Sequence, residues 1–151
     1  MSGVSIKNFT RQHLKVWAGL SFVEVAEEVL PGWDISLVFV GPTRARNLNK
    51  QLRNKDYIPN VLSYVVGEKS GEIIICPSEA LKQAPAYNLP PTTFYLYLFI
   101  HGTLHLKGWA HGAKMEACEQ KLLSLYGATN SDRHRHRHVP SEDGRGRRTL
   151  R

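Results

Sequence analysis

The sequence predicts a single α+β domain, in which a small mixed β-sheet is covered by helices and followed by a disordered C-terminal tail. Its 151 residues fit one domain of ordinary size. Hydrophobic residues make up 42% of the chain and charged residues 22%, which is typical of a globular protein. Helix-like and strand-like segments follow one another without a strict strand–helix–strand alternation, and this order favours the α+β class. We expect the domain to span residues 1–129 and the tail residues 130–151.

The first third of the chain predicts a helix, a strand and a second helix. The first helix is expected to be capped by Thr10 and to reach residue 30. Its apolar face has residues at helical spacing, namely Leu14, Ala18, Phe22, Val25 and Val29. Residues 35–40 are rich in β-forming side chains and predict a strand. Thr43 is expected to cap the next helix, which reaches Arg53.

The middle of the chain predicts a β-hairpin and two helices. Residues 61–66 and 72–76 are apolar runs separated by a glycine-containing turn, as in two paired strands. Ser78 is expected to cap a short helix that Pro85 ends. The continuous apolar stretch within residues 92–106 predicts a buried helix.

A last helix over residues 113–126 completes the predicted domain. Its expected apolar face consists of Met115, Cys118, Leu122 and Leu125. Gly127 is expected to end this helix. The residues that follow are polar, rich in arginine and without periodicity, so they predict disorder.

Composition limits the cellular setting. With only two cysteines, Cys76 and Cys118, the chain offers no disulfide framework, which favours a reducing compartment. The longest apolar run, residues 94–100, is far shorter than the about 20 residues that span a membrane. The first residues lack the apolar core of a signal peptide. We therefore expect a cytoplasmic protein without a membrane partner.

The chain is basic, with a formal net charge of +7. Residues 131–151 hold seven arginines against three acidic residues and so contribute +4, which leaves +3 for residues 1–130. A basic surface favours a polyanionic partner such as nucleic acid, because neutralising phosphates releases condensed counterions. Within the tail, Asp132 is followed by alternating arginines and histidines up to His138, and the arginines would repel a metal cation. We expect this stretch to attract RNA phosphates nonspecifically or to have no selected role.

Three of the seven histidines, His101, His105 and His111, stand close together in the sequence. On a helix, His101 and His105 project from one face and can reach one ion at a Zn–N distance of about 2.0 to 2.1 Å. Gly108 lets the chain leave that helix and bring His111 back to the same point. Three neutral imidazoles leave a fourth position for water, which is the open geometry of a catalytic zinc. The sequence thus predicts a zinc-binding helix-turn with one Zn²⁺ per chain.

These histidines have two other interpretations. Histidines gathered by chance would leave three unpartnered imidazoles in an apolar setting, which is costly. The spacing is also that of the metzincin proteases, whose general base is a Glu directly after the first His. Here that position is Gly102, which disfavours peptide hydrolysis. A phosphodiester of RNA carries its own 2′-hydroxyl nucleophile and mainly needs charge stabilisation.

The run HGTLHLKGWAH at residues 101–111 resembles the HGxLHLxGYDH signature of the YbeY family, bacterial endoribonucleases that mature ribosomal RNA. Residues 48–53 resemble the family's LNxxxR helix. Residues 61–64 and 71–73 resemble its VLSF strand and its GDI segment. The resemblance extends from about residue 35 to Gly127.

The resemblance implies a zinc-dependent, single-strand-specific endoribonuclease, with ribosomal RNA and the small ribosomal subunit as partners. Its expected roles are maturation of the small-subunit RNA 3′ end and ribosome quality control, and DNA is not an expected partner. The zinc ligands would be His101, His105 and His111. Arg53 would hold the substrate phosphate, and Arg53 and His105 would be the catalytic residues. Either metal-bound water or the 2′-hydroxyl would be the nucleophile.

The sequence departs from the family pattern near the proposed site. Ala110 stands where the family has an acid, Trp109 where it has Tyr, and Pro59-Asn60 where it has Thr-Asp. Carboxylates of this kind commonly orient ligand histidines, and their loss can lower metal affinity by about 10 to 100-fold. The departures keep open a second function, an RNA- or ribosome-binding assembly factor with a structural zinc. A metalloprotease is the third.

Several other residues have weaker claims to a functional role. On sequence alone, Arg53 is a solvated helix residue, and only the resemblance makes it functional. Ser63 and Glu72 are candidate site residues that more often serve structure. Glu116 follows His111 closely and could act as a base, but an exposed helical Glu is the simpler description. Cys118 is expected to be an inert core residue.

Overall fold

The computed structural model describes residues 2–12 and 18–127, with the side chains of residues 18–20 outside the description. The elements are, in chain order, β1 (Gly3–Asn8), α1 (Ala18–Val29), β2 (Asp34–Phe39), α2 (Pro42–Arg53), β3 (Val61–Gly67), β4 (Ser70–Ile75), α3 (Pro77–Gln83), a 3₁₀ turn (Ala84–Tyr87), α4 (Pro91–Leu106) and α5 (Ala113–Tyr126). The described part is a single small α+β domain with a four-stranded mixed sheet and five α-helices, so the predicted fold class is confirmed. None of these helices combines the length and the apolar character that crossing a membrane requires.

The sheet has the strand order β1-β2-β4-β3. Strands β1, β2 and β4 run parallel, and β3 pairs antiparallel with β4. The predicted hairpin is confirmed, since Val61 pairs with Ile75 and Gly67 with Ser70. Strand β1 was not predicted from the sequence. It is an edge strand with an almost wholly exposed surface, so it lacks the alternating apolar pattern that marks a half-buried strand.

The predicted start of the first helix is wrong. Thr10 lies in a bend over residues 10–12, where its hydroxyl accepts a hydrogen bond from the backbone N–H of Gln12 at 3.3 Å. The described helix begins at Ala18. Phe22, Val25 and Val29 are buried as predicted, whereas Leu14 and the Ala18 side chain lie outside the described residues.

Two further predicted caps are each wrong by two residues. Gly41 is the N-cap of α2, instead of Thr43, and Cys76 is the N-cap of α3, instead of Ser78. In both helices a proline, Pro42 or Pro77, follows the cap directly. The fixed φ of proline suits the first helical position, so each helix begins at its proline before the hydroxyl residue is reached.

Each face of the sheet carries its own apolar core. Helices α1, α4 and α5 cover one face, onto which the sheet residues Ile35, Leu37, Phe39, Ile73 and Ile75 pack. Helix α2 covers the other face with a smaller cluster that consists of Val38, Val40, Ala45, Leu62, Ile74 and Cys76. Consecutive strand residues alternate between the two cores, as the period of two in a β-strand requires.

Helix α4 is the centre of the larger core. From Phe94 to Leu106 only His105 among its residues is not buried. At Gly102 a Cβ atom would lie 3.1 Å from side-chain atoms of Ile73 on β4. The missing side chain therefore lets the helix approach the sheet closely, and this contact fixes which face of α4 is turned away from the strands.

Helix α5 packs against α4 with a face that differs from the prediction. Met115 and Leu122 are buried, but Leu125 is 46% exposed and Cys118 is half-buried. The third buried residue of this helix is Glu119, an acid at a position where an apolar side chain is expected. The predicted tail, residues 130–151, lies outside the described residues, and its boundary stays a prediction.

Candidate metal centre and active-site cleft

The structure brings the three predicted ligand histidines together. The Nε2 atoms of His101 and His105 lie 3.0 Å apart, and one ligand nitrogen from each of the three rings lies within 4.8 Å of the others. Two ligands about 2.0 to 2.1 Å from a tetrahedral metal ion are separated by about 3.3 Å. The cluster can therefore hold one metal ion.

Local backbone structure places each of these rings. His101 and His105 lie one turn apart on α4, with ring centroids 4.5 Å apart. After Leu106 the chain turns at Gly108, whose φ of +100° is a conformation that other residues rarely adopt. The turn brings the ring of His111 to 4.5 Å from His105 and 5.0 Å from His101, between centroids. The predicted function of Gly108 in this turn is confirmed.

Hydrogen bonds orient the two helical rings. The Nδ1 atom of His105 lies 3.0 Å from the backbone carbonyl oxygen of Trp109, and a carbonyl only accepts, so Nδ1 carries the proton. The Nδ1 atom of His101 lies 3.4 Å from the Glu119 carboxylate. At His105 this arrangement leaves a lone pair on Nε2, and at His101 it does so when Glu119 accepts the Nδ1 proton. The two Nε2 atoms face each other. Two facing lone pairs repel unless a cation lies between them, which is the arrangement that a metal ion fits.

The pKa of His105 is lowered from its ordinary value. Partial burial of the ring is the largest cause, and the neighbouring His101 and His111 add to it. Both effects disfavour a positive charge on the ring. The neutral imidazole is the form that binds a metal ion, so the lowered pKa favours the form of His105 that can act as a ligand.

Glu119 was missed in the predictions from sequence. Its side chain is buried on α5 behind His101, with 3% of the residue exposed. A signal was present, because Met115, Glu119 and Leu122 share one helical face and the acid interrupts an apolar stripe. The more obvious departure was the missing acid at Ala110, but that residue is exposed. His101 and His105 have hydrogen-bond partners, Glu119 and the Trp109 carbonyl, although position 110 has no acid.

The histidines lie in a cleft with a volume of about 750 Å³. Its lining also includes Arg53, Tyr57, Asn60, Ser63, Lys82 and Gln83. Of the sequence candidates, Arg53 and Ser63 thus share the cleft with the histidines, whereas Glu72 and Glu116 are not among its lining residues. Glu72 is paired across the hairpin with Tyr64, where burial and this carboxylate raise the pKa of Tyr64 to about 12.

Arg53 is held in the cleft by neutral groups. Its Nη1 atom donates to the Tyr57 hydroxyl at 2.9 Å and to Oδ1 of Asn49 at 3.4 Å. Asn49 is fully buried, and its Nδ2 atom donates to the Tyr57 carbonyl at 3.0 Å, which ties the three residues together. Within the described residues no carboxylate lies within 4 Å of Arg53. Its positive charge is therefore available to an anion.

Asn60 occupies the position where the family pattern has an acid. Its Nδ2 atom donates to Oε1 of Gln83 at 2.6 Å, which joins the segment before β3 to helix α3. On the same wall of the cleft, Lys82 and Glu79 form an ion pair at 3.6 Å. The charges of Lys82 and Glu79 offset each other, so Arg53 supplies the uncompensated charge of the described lining.

Comparison with known proteins decides the family. The family profile described as Endoribonuclease YbeY matches residues 4–127. The chain belongs to the YbeY family. This confirms the resemblance seen in residues 101–111, and the matched region begins at residue 4, well before residue 35.

Curated YbeY proteins align with this chain over about two thirds of their own length. Endoribonuclease YbeY of Neisseria meningitidis serogroup B is 37% identical over 113 residues, which cover 64% of this chain and 67% of that protein. Endoribonuclease YbeY of Aromatoleum aromaticum is 31% identical over 105 residues, which cover 64% of this chain and 68% of that protein.

A solved structure shares the fold. The solution structure of a protein from Thermotoga maritima superposes with a TM-score of 0.61 at 24% sequence identity. The alignment covers 96% of this chain and 99% of the Thermotoga protein. This likeness shows that the two proteins share a fold and adds nothing about activity.

Proposed function

We propose that this chain is a zinc-dependent endoribonuclease that cleaves single-stranded RNA. Its proposed substrate is ribosomal RNA of the small subunit at the 3′ end, in maturation and in quality control of ribosomes, which would place its action in the cytoplasm. One observation carries the proposal: the three histidines and Arg53 line the same cleft in a chain of the YbeY family. A metal site alone fits many functions, but a metal site beside an uncompensated arginine suits a phosphodiester.

His101, His105 and His111 would hold the zinc ion. Three imidazoles match the ligand set of catalytic zinc sites, which keep a fourth position open. When bound, zinc polarises a phosphoryl oxygen and stabilises the negative charge that develops on it. The rings of His101 and His105 are already oriented by Glu119 and the Trp109 carbonyl, so binding would require little rearrangement of α4.

Arg53 would hold the phosphate group that is cleaved. Its Nη1 atom is engaged by Tyr57 and Asn49, which leaves the edge formed by Nε and Nη2 for a ligand. That edge presents two parallel N–H donors, the geometry that binds two phosphate oxygens at once. The buried Asn49 fixes the guanidinium, so less side-chain entropy is lost when the phosphate binds.

The cleft favours a flexible strand over a duplex. His101 is recessed, with 6% of the residue exposed, so a phosphate that reaches a metal ion bound to this ring must enter the cleft. In a duplex the phosphates lie on a rigid helical surface, whereas a single strand can lay one phosphate into a recess. Tyr57 is 44% exposed beside Arg53 and offers a ring on which an unpaired base can stack.

The structure disfavours the metalloprotease. Position 102, where a metzincin has its general base, faces Ile73 of the sheet and has no room for a carboxylate. The assembly factor with a structural zinc is the remaining rival. It predicts RNA binding without cleavage, so it differs from the enzyme in one observable.

The test is cleavage of a labelled single-stranded RNA by purified, metal-quantified protein. We expect the wild type to cleave the single strand and to leave the same sequence intact when it is annealed to its complement. His105→Ala should abolish cleavage, and His134→Ala, a tail histidine, should preserve it. Binding of RNA by the wild type without cleavage would overturn the proposal in favour of the assembly factor.

A further inference from the structure

Glu119 is a buried acid beside a metal-binding histidine. Its side chain is 4% exposed and that of His101 8%, and Oε2 of Glu119 lies 3.4 Å from Nδ1 of His101. A carboxylate without partners at this depth would be strongly destabilising. Its burial in the core therefore indicates that the carboxylate interacts with a neighbouring group, and His101 is in contact with it.

Besides His101, two tyrosines that do not line the cleft lie near Glu119. The pKa of the Tyr97 phenol is raised, first by burial and then by the Glu119 carboxylate. The pKa of Tyr87 is raised in the same order by burial and by Glu119. Glu119 is not among the residues that line the cleft, so it is not placed to touch a substrate.

Glu119 is also distinguished by its charge. In the described part of the chain, no other carboxylate lies within 4 Å of a nitrogen of the three histidines. His105 is oriented by a neutral group, the carbonyl of Trp109. Among the described residues, Glu119 is thus the only carboxylate in direct contact with the three histidines.

We propose that Glu119 is the positioning residue of the metal centre. It accepts the Nδ1 proton of His101 and so holds the Nε2 lone pair toward His105 and His111. Its negative charge makes the imidazole a stronger donor and offsets part of the charge of a divalent cation. This inference rests on the metal site of the proposed function, and it assigns to α5 a role that the sequence motif on α4 does not contain.

The test is zinc affinity of the full-length protein, measured by competition with a chromophoric chelator. Glu119→Gln keeps the size of the side chain and removes its charge, and we expect zinc binding to weaken by about 10 to 100-fold. Glu116→Gln is the matched control, because it removes the same charge from the same helix three residues earlier. It should bind zinc like the wild type. Equal affinities for Glu119→Gln and the wild type would overturn the inference and leave the metal site intact.

A second measurement needs no variant. In metal-free wild-type protein, ¹⁵N NMR of the imidazole nitrogens should show His101 with its proton on Nδ1. A proton on Nε2 would overturn the inference. A wild-type protein that takes up no zinc would overturn both this inference and the metal site, so the two failures are distinguishable.

Discussion

The Nε2 atoms of His101 and His105 face each other at 3.0 Å, while the Nδ1 atom of each ring already has a partner. The Trp109 carbonyl fixes the proton of His105 on Nδ1. With the proposed Nδ1 proton on His101, neither Nε2 has a proton to donate to the other. This contact is unfavourable while both rings are neutral and no cation is bound. It becomes favourable when both lone pairs bind one cation. The pair therefore links the helical spacing of the sequence to the proposed zinc chemistry.

Purified protein should carry about one zinc ion per chain, held by His101, His105 and His111. The expectation follows from the three nitrogens that lie within 4.8 Å of one another. Elemental analysis after gentle purification measures it, with His105→Ala as the variant that should lose the metal. Protein that carries no transition metal and takes up none from added zinc would contradict it.

The stability of the metal-free protein should fall as the pH drops below about 6.5, the ordinary pKa of histidine. The pKa of His105 is lowered in the folded state, so between the two pKa values the unfolded chain binds more protons. The free energy of unfolding therefore rises with pH across this window. Thermal melts between pH 7.5 and 5 measure it.

The control for this pH dependence is His105→Asn. An Asn side chain can still donate to the Trp109 carbonyl but does not titrate. We expect its melting temperature to depend less on pH than that of the wild type. The same slope in both proteins would show that burial of His105 does not contribute.

Gly102→Glu should destabilise the domain and should not create a peptidase. Even a Cβ at position 102 would lie only 3.1 Å from side-chain atoms of Ile73. A glutamate there would collide with Ile73 and bury its carboxylate between α4 and the sheet. We expect a loss of about 3 kcal/mol or more, which lowers the melting temperature by about 10 °C in a domain of this size. Gly67→Glu is the control, because a Cβ at Gly67 meets no atom within 4 Å. An unchanged melting temperature for Gly102→Glu would mean that position 102 does not face the sheet.

Truncation after Asn130 should weaken RNA binding and leave zinc content and melting temperature unchanged. The deletion removes seven arginines, and fewer counterions are then released when RNA binds. The slope of log affinity against log salt should become shallower, by about 0.7 for each phosphate of a single strand that the protein no longer neutralises. A full-length variant with the seven tail arginines changed to glutamine should behave like the truncation. A melting temperature lowered by many degrees would show that the tail belongs to the fold.

The parts of the molecule that were predictable are those with local signals. The histidine spacing, the apolar run of α4 and the hairpin each depend on neighbouring residues, and all three are confirmed. Strand β1 was not predictable because its pairing with β2 joins residues about thirty positions apart and its side chains are exposed. The caps at Thr43 and Ser78 were misplaced because proline competes with a hydroxyl residue for the start of a helix.

The candidate site shows the same division. The spacing from His101 to His111 predicted one cluster, and the structure places these residues together. Periodicity can place Glu119 on the face of Met115 and Leu122, but its contact with His101 depends on how α5 packs against α4, which periodicity does not reveal. The supporting contact of Asn49 with Arg53 lies four residues apart on one helix and was open to prediction, but an Asn on a polar helix gives no sign that it will be buried.

The central claim is that Arg53 and the metal ligands act together on RNA. The most direct measurement is the cleavage rate of a single-stranded RNA at fixed salt by the wild type, Arg53→Ala, Arg53→Lys and His105→Ala. Arg46→Ala is the control on the same helix, because Arg46 is paired with Asp56 and does not line the cleft. Zinc content and melting temperature are measured for each protein.

We expect Arg53→Ala to cut the cleavage rate by about 100 to 1,000-fold, as when one donor to a developing oxyanion is removed, while its zinc content stays that of the wild type. Arg53→Lys should recover part of the rate, because lysine keeps the charge and loses the paired donors. His105→Ala should be inactive and Arg46→Ala fully active. Equal rates in all five proteins would indicate a contaminating nuclease and would contradict the claim, as would an Arg53→Ala protein that cleaves RNA at the wild-type rate.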